Sequence, residues 1–205
     1  THCIGMLDVA LGGGIEMITE QTIAGIRSAI RKARLEGKTI GFVPTMGYLH
    51  DGHISLVSIA RQNASFQVMS IFVNRLQFND PSDFNTYPRE LRRDLDMAEE
   101  AGVDLVFTPD DSEMYHAPLT HVDMVNLTDH LCGAARPGHF RGVFTVVSKL
   151  FNIVQPDVAV FGQKDIQQAI GIEKMVADLN FPVRIIIAPI IRERSGLAMS
   201  SRNKH

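Results

Sequence analysis

Short runs rich in β-branched and aromatic residues alternate along this chain with stretches whose apolar residues recur three and four apart, and that alternation constrains the fold most. The strand-like runs are Thr39–Val43, Gln67–Val73, Val103–Phe107, Asp157–Phe161 and Val183–Ile187. Helical spacing runs from Thr19 to near Glu36, through Ile23, Ile26 and Ile30, and again over Ile54–Gln62, Arg89–Ala101, Val143–Val154 and Asp165–Leu179. Strands separated by helices of this length cannot pair as hairpins, so they build βαβ units and a parallel sheet. The expected fold is therefore a Rossmann-like α/β domain, an open parallel sheet with helices on both faces. Pro44 is expected to mark the exit from the first strand, and Val122–Leu127 to add a short extended segment. In such sheets ligands bind beyond the carboxyl ends of the strands. The loops after Val43, Val73, Phe161 and Ile187 are thus where chemistry is expected.

With 45% hydrophobic and 21% charged residues in 205, the chain can bury a real core and is not of disordered composition. Its net charge of −3 provides no bulk attraction for nucleic acid or an anionic membrane. No apolar run approaches the roughly 18 residues of a membrane span. Small molecules are the expected partners. Cys3 and Cys132 make neither a disulfide framework nor a paired zinc site, which points to a reducing, cytoplasmic setting. Thr1–Glu16 lacks an initiator Met, carries Gly12-Gly13-Gly14 and shows no periodicity before Met17. Residues 1–16 are read as a foreign extension and 17–205 as the domain.

The loop Pro44–His53 places His50 and His53 at the start of a helix. Backbone N–H groups and the positive end of the helix dipole favour an anion there, and two imidazoles can donate to phosphate oxygens. Gly47 and Gly52 allow close backbone approach. Zinc fits less well, because the metalloprotease pattern needs a Glu between the histidines, and no residue is assigned to a metal. Gly37-Lys38-Thr39 precedes its strand and lacks the earlier P-loop glycine. No Gly-x-Gly-x-x-Gly occurs, which argues against nicotinamide or flavin.

The loop resembles the His-x-Gly-His signature of the nucleotidylyltransferase superfamily. The longer string Pro44-Thr45-Met46-Gly47-x-Leu49-His50-x-Gly52-His53 is similar to that of the pantoate–β-alanine ligase family. The resemblance continues, in the family's order, through Phe72-Val73-Asn74-x-x-Gln77-Phe78, Tyr87-Pro88-Arg89, Arg136-Pro137-Gly138-His139-Phe140-x-Gly142-Val143, Phe161-Gly162-x-Lys164-Asp165-x-Gln167-Gln168 and Gly196-Leu197-Ala198-x-Ser200-Ser201-Arg202-Asn203. It covers about Met17 to His205. Arg75, Tyr48 and Ser195 depart from it, standing where the family usually has Pro, a small residue and Asp.

The resemblance implies a reaction in which pantoate's carboxylate attacks the α-phosphorus of ATP, pyrophosphate leaves, and β-alanine's amine takes the pantoyl group from AMP. It implies an ATP site of Met46, Gly47, Tyr48, Leu49, His50, Asp51, Gly52, His53, Gly162, Gln163, Lys164, Asp165, Met199, Ser200, Ser201 and Arg202, with Ile191 touching adenine through its backbone. Gln77 and Gln168 would hold pantoate, and Mg²⁺ would bridge phosphate oxygens. His50, His53, Lys164 and Arg202 are the implied catalytic residues, with His53 as proton donor. No covalent intermediate is needed. Residue chemistry is compatible with this: Lys164 and Gln168 share a helix face, and an arginine beside serines can grip phosphate. By composition Met199–Arg202 is a mobile-looking polar stretch, Arg136 serves a ligand or a turn, Arg89–Asp96 is a solvated helix face, and Met97 and Met175 fill the core. The family also implies a homodimer. Its smaller C-terminal lid has no counterpart in this sequence, so ATP binding with weak or absent synthesis is expected. The competing readings are another His-x-Gly-His nucleotidylyltransferase and a nucleotide-binding domain without turnover.

Overall fold

The computed structural model describes residues 17–203, so the reading of residues 1–16 as an extension lies outside the described residues. In chain order the elements are β1 (Ile18–Glu20), α1 (Ile23–Leu35), β2 (Ile40–Thr45), α2 (Asp51–Arg61), β3 (Phe66–Ile71), a 3-10 turn (Arg75–Gln77), α3 (Pro81–Thr86) and α4 (Leu91–Glu100). There follow β4 (Leu105–Phe107), α5 (Asp111–Met114), α6 (Leu131–Ala135), α7 (His139–Val154), β5 (Val158–Gly162), a 3-10 turn (Gln163–Asp165), α8 (Ile166–Asp178) and β6 (Arg184–Ala188). The strands form one sheet in the order β1-β4-β3-β2-β5-β6, and every pair is parallel. The fold is the expected Rossmann-like one.

The two-residue period of each strand sorts its side chains onto two cores. Phe42, Val68, Leu105, Phe107, Ala159 and Phe161 pack with α1, α7 and α8 on one face. Val43, Met69, Val106, Val158 and Val160 pack with α2 and α4 on the other. Strands buried on both sides read as continuous apolar runs, which is why the alternation is visible in the sequence.

Three local expectations change. Thr19 and Glu20 belong to β1, which pairs with β4, and the first helix starts only after Thr22, whose hydroxyl caps the Gly25 N–H. Pro44 lies inside β2, not at its exit. The Thr45 carbonyl accepts the Phe72 N–H, so the polar groups of Pro44 face β5, and β2–β5 pairing ends at Phe42. A residue without an N–H therefore costs no ladder bond there. Residues 122–127 form no strand: the Val122 N–H donates to Thr145 Oγ1 and the Leu127 carbonyl accepts from Gln167, so side chains of α7 and α8 satisfy that backbone.

β2 is the strand from which the chain winds in both directions. Its pairing with β3 runs from Ile40 to Thr45, whereas it meets β5 only at Gly41 and Phe42. The carboxyl ends of β2 and β5 thus splay, opening a crevice at the topological switch point.

Candidate active site

The β2–α2 loop delivers two imidazoles to that crevice. His50 is the N-cap of α2, and its Nδ1 accepts the Gly52 N–H at 3.1 Å. His53, one turn in, reciprocates: its Nδ1 accepts the His50 N–H at 3.3 Å. This is a capping box built from histidines. A backbone N–H can only donate, so both Nδ1 atoms are bare and each neutral ring carries its proton on Nε2. The rings lie 4.1 Å apart, tilted by 41°. Gly52 is required for the cap, because a Cβ there would sit 2.8 Å from the His50 ring. Burial, then the charges of His50 and Lys164, push the His53 pKa down to about 3. Burial first and Lys164 second also lower that of His50. At neutral pH the pair is two uncharged donors.

Opposite them stands an amide chain. Asn74 is buried, and its Nδ2 faces the Gly142 carbonyl at 3.1 Å, which sets its orientation. The same Nδ2 donates to Gln77 Oε1 at 3.0 Å, and Tyr115 donates its hydroxyl to Asn74 Oδ1 at 2.7 Å. With its carbonyl engaged, the Gln77 side chain, which lines the cleft, has its NH2 left as the group that could donate there. The Gln77 backbone carbonyl accepts from His139 Nδ1 at 2.7 Å, and His139 Nε2 accepts from Arg136 at 3.2 Å. His139 thus has the opposite tautomer to His50 and His53. Burial leads in lowering its pKa. Arg136 both orders this turn and lines the cleft. Sequence reasoning reaches His139 only as part of a motif. Its usable signal is a Gly-His pair at the start of the most apolar helix.

The β5 loop brings Lys164, whose Nζ lies 3.2 Å from both oxygens of Asp165, with Gln168 one turn further on α8. After β6 the chain turns back. The Glu193 N–H donates to the Leu197 carbonyl, the Met199 N–H donates to the Ile191 carbonyl, and Arg192 bridges Ala198. Ala198 and Met199 thus pair back on the segment after β6, and residues 201–203 form a turn in which the Asn203 N–H donates to the Ser200 carbonyl. Ser201 Oγ donates to the Tyr48 carbonyl at 3.2 Å. Arg202 reaches Asp83 at 3.0 Å, its guanidinium 5.5 Å from the centre of the Tyr87 ring.

Of the residues singled out in the sequence, Met46, His50, Gly52, His53, Gln77, Gly162, Lys164, Asp165, Gln168, Ile191, Met199, Ser200, Ser201 and Arg202 line one cleft. Gly47, Tyr48, Leu49, Asp51 and Gln163 do not. Tyr48 and Leu49 are buried residues of the β2–α2 loop, and Asp51 and Gln163 are exposed. The reading of Arg89–Asp96 as a solvated face is corrected at Asp94, which is buried and accepts the N–H groups of Tyr48 and Leu49. Among the described residues, the cleft wall carries the cations Arg136, Lys164 and Arg202 against the single carboxylate Asp165. Such a wall favours a polyanion.

Fold and site together define a Rossmann-like α/β domain with an anion-receptive His-x-Gly-His loop at its switch point. The model of the pantoate-beta-alanine ligase family matches residues 18–205. The chain belongs to that family. The pantothenate synthetase of Thermoanaerobacter pseudethanolicus is 59% identical over 188 residues, 91% of this chain and 66% of that protein. That of Moorella thermoacetica is 60% identical over 186 residues, 90% of this chain and 66% of its own. The pantothenate synthetase structure from Thermus thermophilus matches with a TM-score of 0.87 at 49% identity, over 92% of this chain and 67% of that one. A pantoate-beta-alanine ligase from Francisella tularensis, crystallised with β-γ ATP and β-alanine, matches with a TM-score of 0.88 at 41% identity, over 92% of this chain and 73% of that one. The chain spans about 66% of the length of the curated relatives it matches.

Proposed function

We propose that this domain binds ATP and pantoate for the ATP-dependent condensation of pantoate with β-alanine, through a pantoyl adenylate. A carboxylate is a poor acyl donor to an amine because oxide would have to leave, and transfer to AMP removes that obstacle. The observation that carries the reading is the cleft's division. Neutral Nε2–H donors and the Lys164 and Arg202 cations stand on the walls formed after β2, β5 and β6, and the amides of Gln77 and Gln168 flank the space where an uncharged hydroxyl and a carboxylate could be held. The ligands named for the Francisella tularensis structure support ATP and β-alanine as substrates.

In this scheme pantoate's carboxylate attacks the α-phosphorus in line. His50 and His53 donate hydrogen bonds to the phosphoryl oxygens, while Lys164 and Arg202 offset the charge that grows on the departing pyrophosphate. The amine of β-alanine then attacks the acyl carbon, and AMP leaves. Mg²⁺ would neutralise phosphate charge. No group of three or more potential ligands stands ready for a metal among the described residues, and the one carboxylate they place on the wall is Asp165. That donor set fits an ion carried mainly by phosphate oxygens. The reading extends to a cytoplasmic homodimer, which light scattering would check. Among the described residues no helix is long and apolar enough to cross a membrane.

The test is calorimetric titration with a nonhydrolysable pantoyl adenylate mimic. It should bind far more tightly than ATP or pantoate alone, and a mimic with an unrelated acyl group should not. Equal affinity for both would overturn pantoate as the substrate and favour a different nucleotidylyltransferase.

A further inference from the structure

The loop that presents His50 and His53 is capped by its own histidines, but at Tyr48 and Leu49 it is held from another element. Gly47 and Tyr48 stand at φ of +80° and +52°, and the second is a conformation that a bulky L residue rarely adopts. Two successive N–H groups, those of Tyr48 and Leu49, consequently point in nearly one direction, away from water. Both end on one carboxylate: Asp94 Oδ2 accepts the first at 2.7 Å and Oδ1 the second at 2.7 Å. Asp94 is 1% exposed, the single buried acidic side chain among the described residues. Its neighbour completes the grip. Arg93 donates to the Leu49 carbonyl at 3.0 Å, its guanidinium 5.4 Å from the centre of the Tyr48 ring and 3.8 Å from Asp94 Oδ1. Helix α4 therefore clasps the N–H and C=O groups of the residue immediately before His50.

A buried carboxylate beside an anion site is costly unless it is paired and hydrogen-bonded, and it opposes the charge of an incoming phosphate. Core packing alone does not call for a charge there. We propose that Asp94 is a positioning residue for the His50–His53 pair: it holds Tyr48 in the left-handed region and so sets where the two Nε2–H donors point. This rests on the function proposed above only for the identity of the ligand that the donors meet. Arg93 offsets the carboxylate's charge and fixes the following carbonyl. Asp94 does not line the cleft.

The experiment uses the 205-residue chain with ¹⁵N-labelled histidine, read by long-range ¹H–¹⁵N correlation. The unsubstituted chain should show Nε2–H tautomers at His50 and His53 and the Nδ1–H tautomer at His139. In Asp94→Asn the amide can accept from only one of the two N–H groups. His50 and His53 should lose their signature while His139 keeps its own, and affinity for the pantoyl adenylate mimic should fall about 10- to 100-fold, the scale of an ångström's misplacement. Tyr48→Gly in the same background should restore the tautomers and most of the affinity, because glycine holds a positive φ without a clamp. A folded Asp94→Asn chain with unchanged His50 and His53 signals and unchanged affinity overturns the proposal, and so does failure of Tyr48→Gly to restore either. If Asp94→Asn does not fold, the double variant decides: it should fold and show both Nε2–H tautomers, and a double variant that does neither overturns the proposal. The tautomers are read without ligand, so a chain that shows them yet does not bind the mimic refutes the ligase reading and leaves this one standing on its own result.

Discussion

His53 accepts the backbone N–H of His50 through Nδ1 at 3.3 Å, so an imidazolium at His53 would need a proton on the very atom that this N–H already occupies. The ring serves as a neutral hydrogen-bond donor from Nε2, and its pKa near 3 agrees. A glutamine can imitate both sides of that ring, accepting through Oε1 and donating through Nε2. We expect His53→Ala to lower the pantoate-dependent adenylation rate by about 10²–10³, the usual loss for one preorganised donor. His53→Gln should stay within about tenfold of the unsubstituted chain. Pyrophosphate exchange measures this, with affinity for the adenylate mimic as the second readout. An equal loss in both variants would return His53 to the role of an acid.

The same depressed pKa makes stability depend on pH with a definite sign. An unfolded histidine takes up its proton near 6.5, the folded His53 only near 3. Between those values the unfolded chain binds more protons, so the contribution is complete above about pH 6.5 and shrinks as pH falls toward 3. At pH 5 the loss from His53 is about 1–2 kcal/mol after allowance for its partial exposure. His50 and His139, also lowered, act in the same direction. Thermal melts at pH 7.5 and pH 5 should differ by more in the unsubstituted chain than in His53→Gln, by about 2–8 °C. Parallel curves would show that His53 titrates normally in the folded protein.

Legibility in the sequence follows burial. β2, β3 and β5 are covered on both faces, so their runs of Val, Ile and Phe stand out, and α7 displays its stripe because nearly every inward residue is apolar. β1 escapes notice because three residues carry no period. The β2–α2 loop is readable from its histidines and glycines, which are chemically distinctive. Asp94 is easily misread because a charge on an amphipathic helix is ordinarily solvated. A clue is present: Asp94 lies four residues before Ala98, which is fully buried, and so on the inward face. What no periodicity can show is that the loop opposite needs an acceptor for two N–H groups. That demand exists only once Tyr48 adopts its positive φ. The Asn74–Gln77–His139 chain is partly hidden for the same reason, since its logic lies in which amide oxygen is already engaged.

Gly142 lets α7 pack directly against the backbone of the turn that carries Gln77. A Cβ on Gly142 would stand 2.2 Å from the Leu76 carbonyl oxygen and 2.6 Å from the Gln77 backbone nitrogen, contacts that force the 3-10 turn to move. Gly142→Ala should cost about 1–3 kcal/mol of stability. By displacing Gln77 it should also weaken pantoate binding by about tenfold or more, while ATP affinity changes little. Calorimetry with each ligand separately checks this. Equal weakening of both would mean that the turn supports the whole cleft and not the pantoate side alone.

Arg202 offers a test of how the cleft's cations are held, given the ATP site proposed above. Its guanidinium contacts Asp83 at 3.0 Å, with the two side chains 45% and 40% exposed, so the pair itself adds little to stability. A triphosphate must draw Arg202 away from that carboxylate and must also approach the carboxylate's negative charge. Asp83→Asn removes both penalties and leaves the aromatic ring of Tyr87 beneath the guanidinium. We expect ATP affinity to rise about 2- to 5-fold at low ionic strength, with the gain shrinking as salt screens the exposed charges. Arg202→Ala should lower the affinity and abolish the effect of Asp83→Asn in the double variant, because the carboxylate acts mainly through the guanidinium. Additive effects of the two substitutions would show that Asp83 acts on the phosphates directly, without Arg202 as its intermediary.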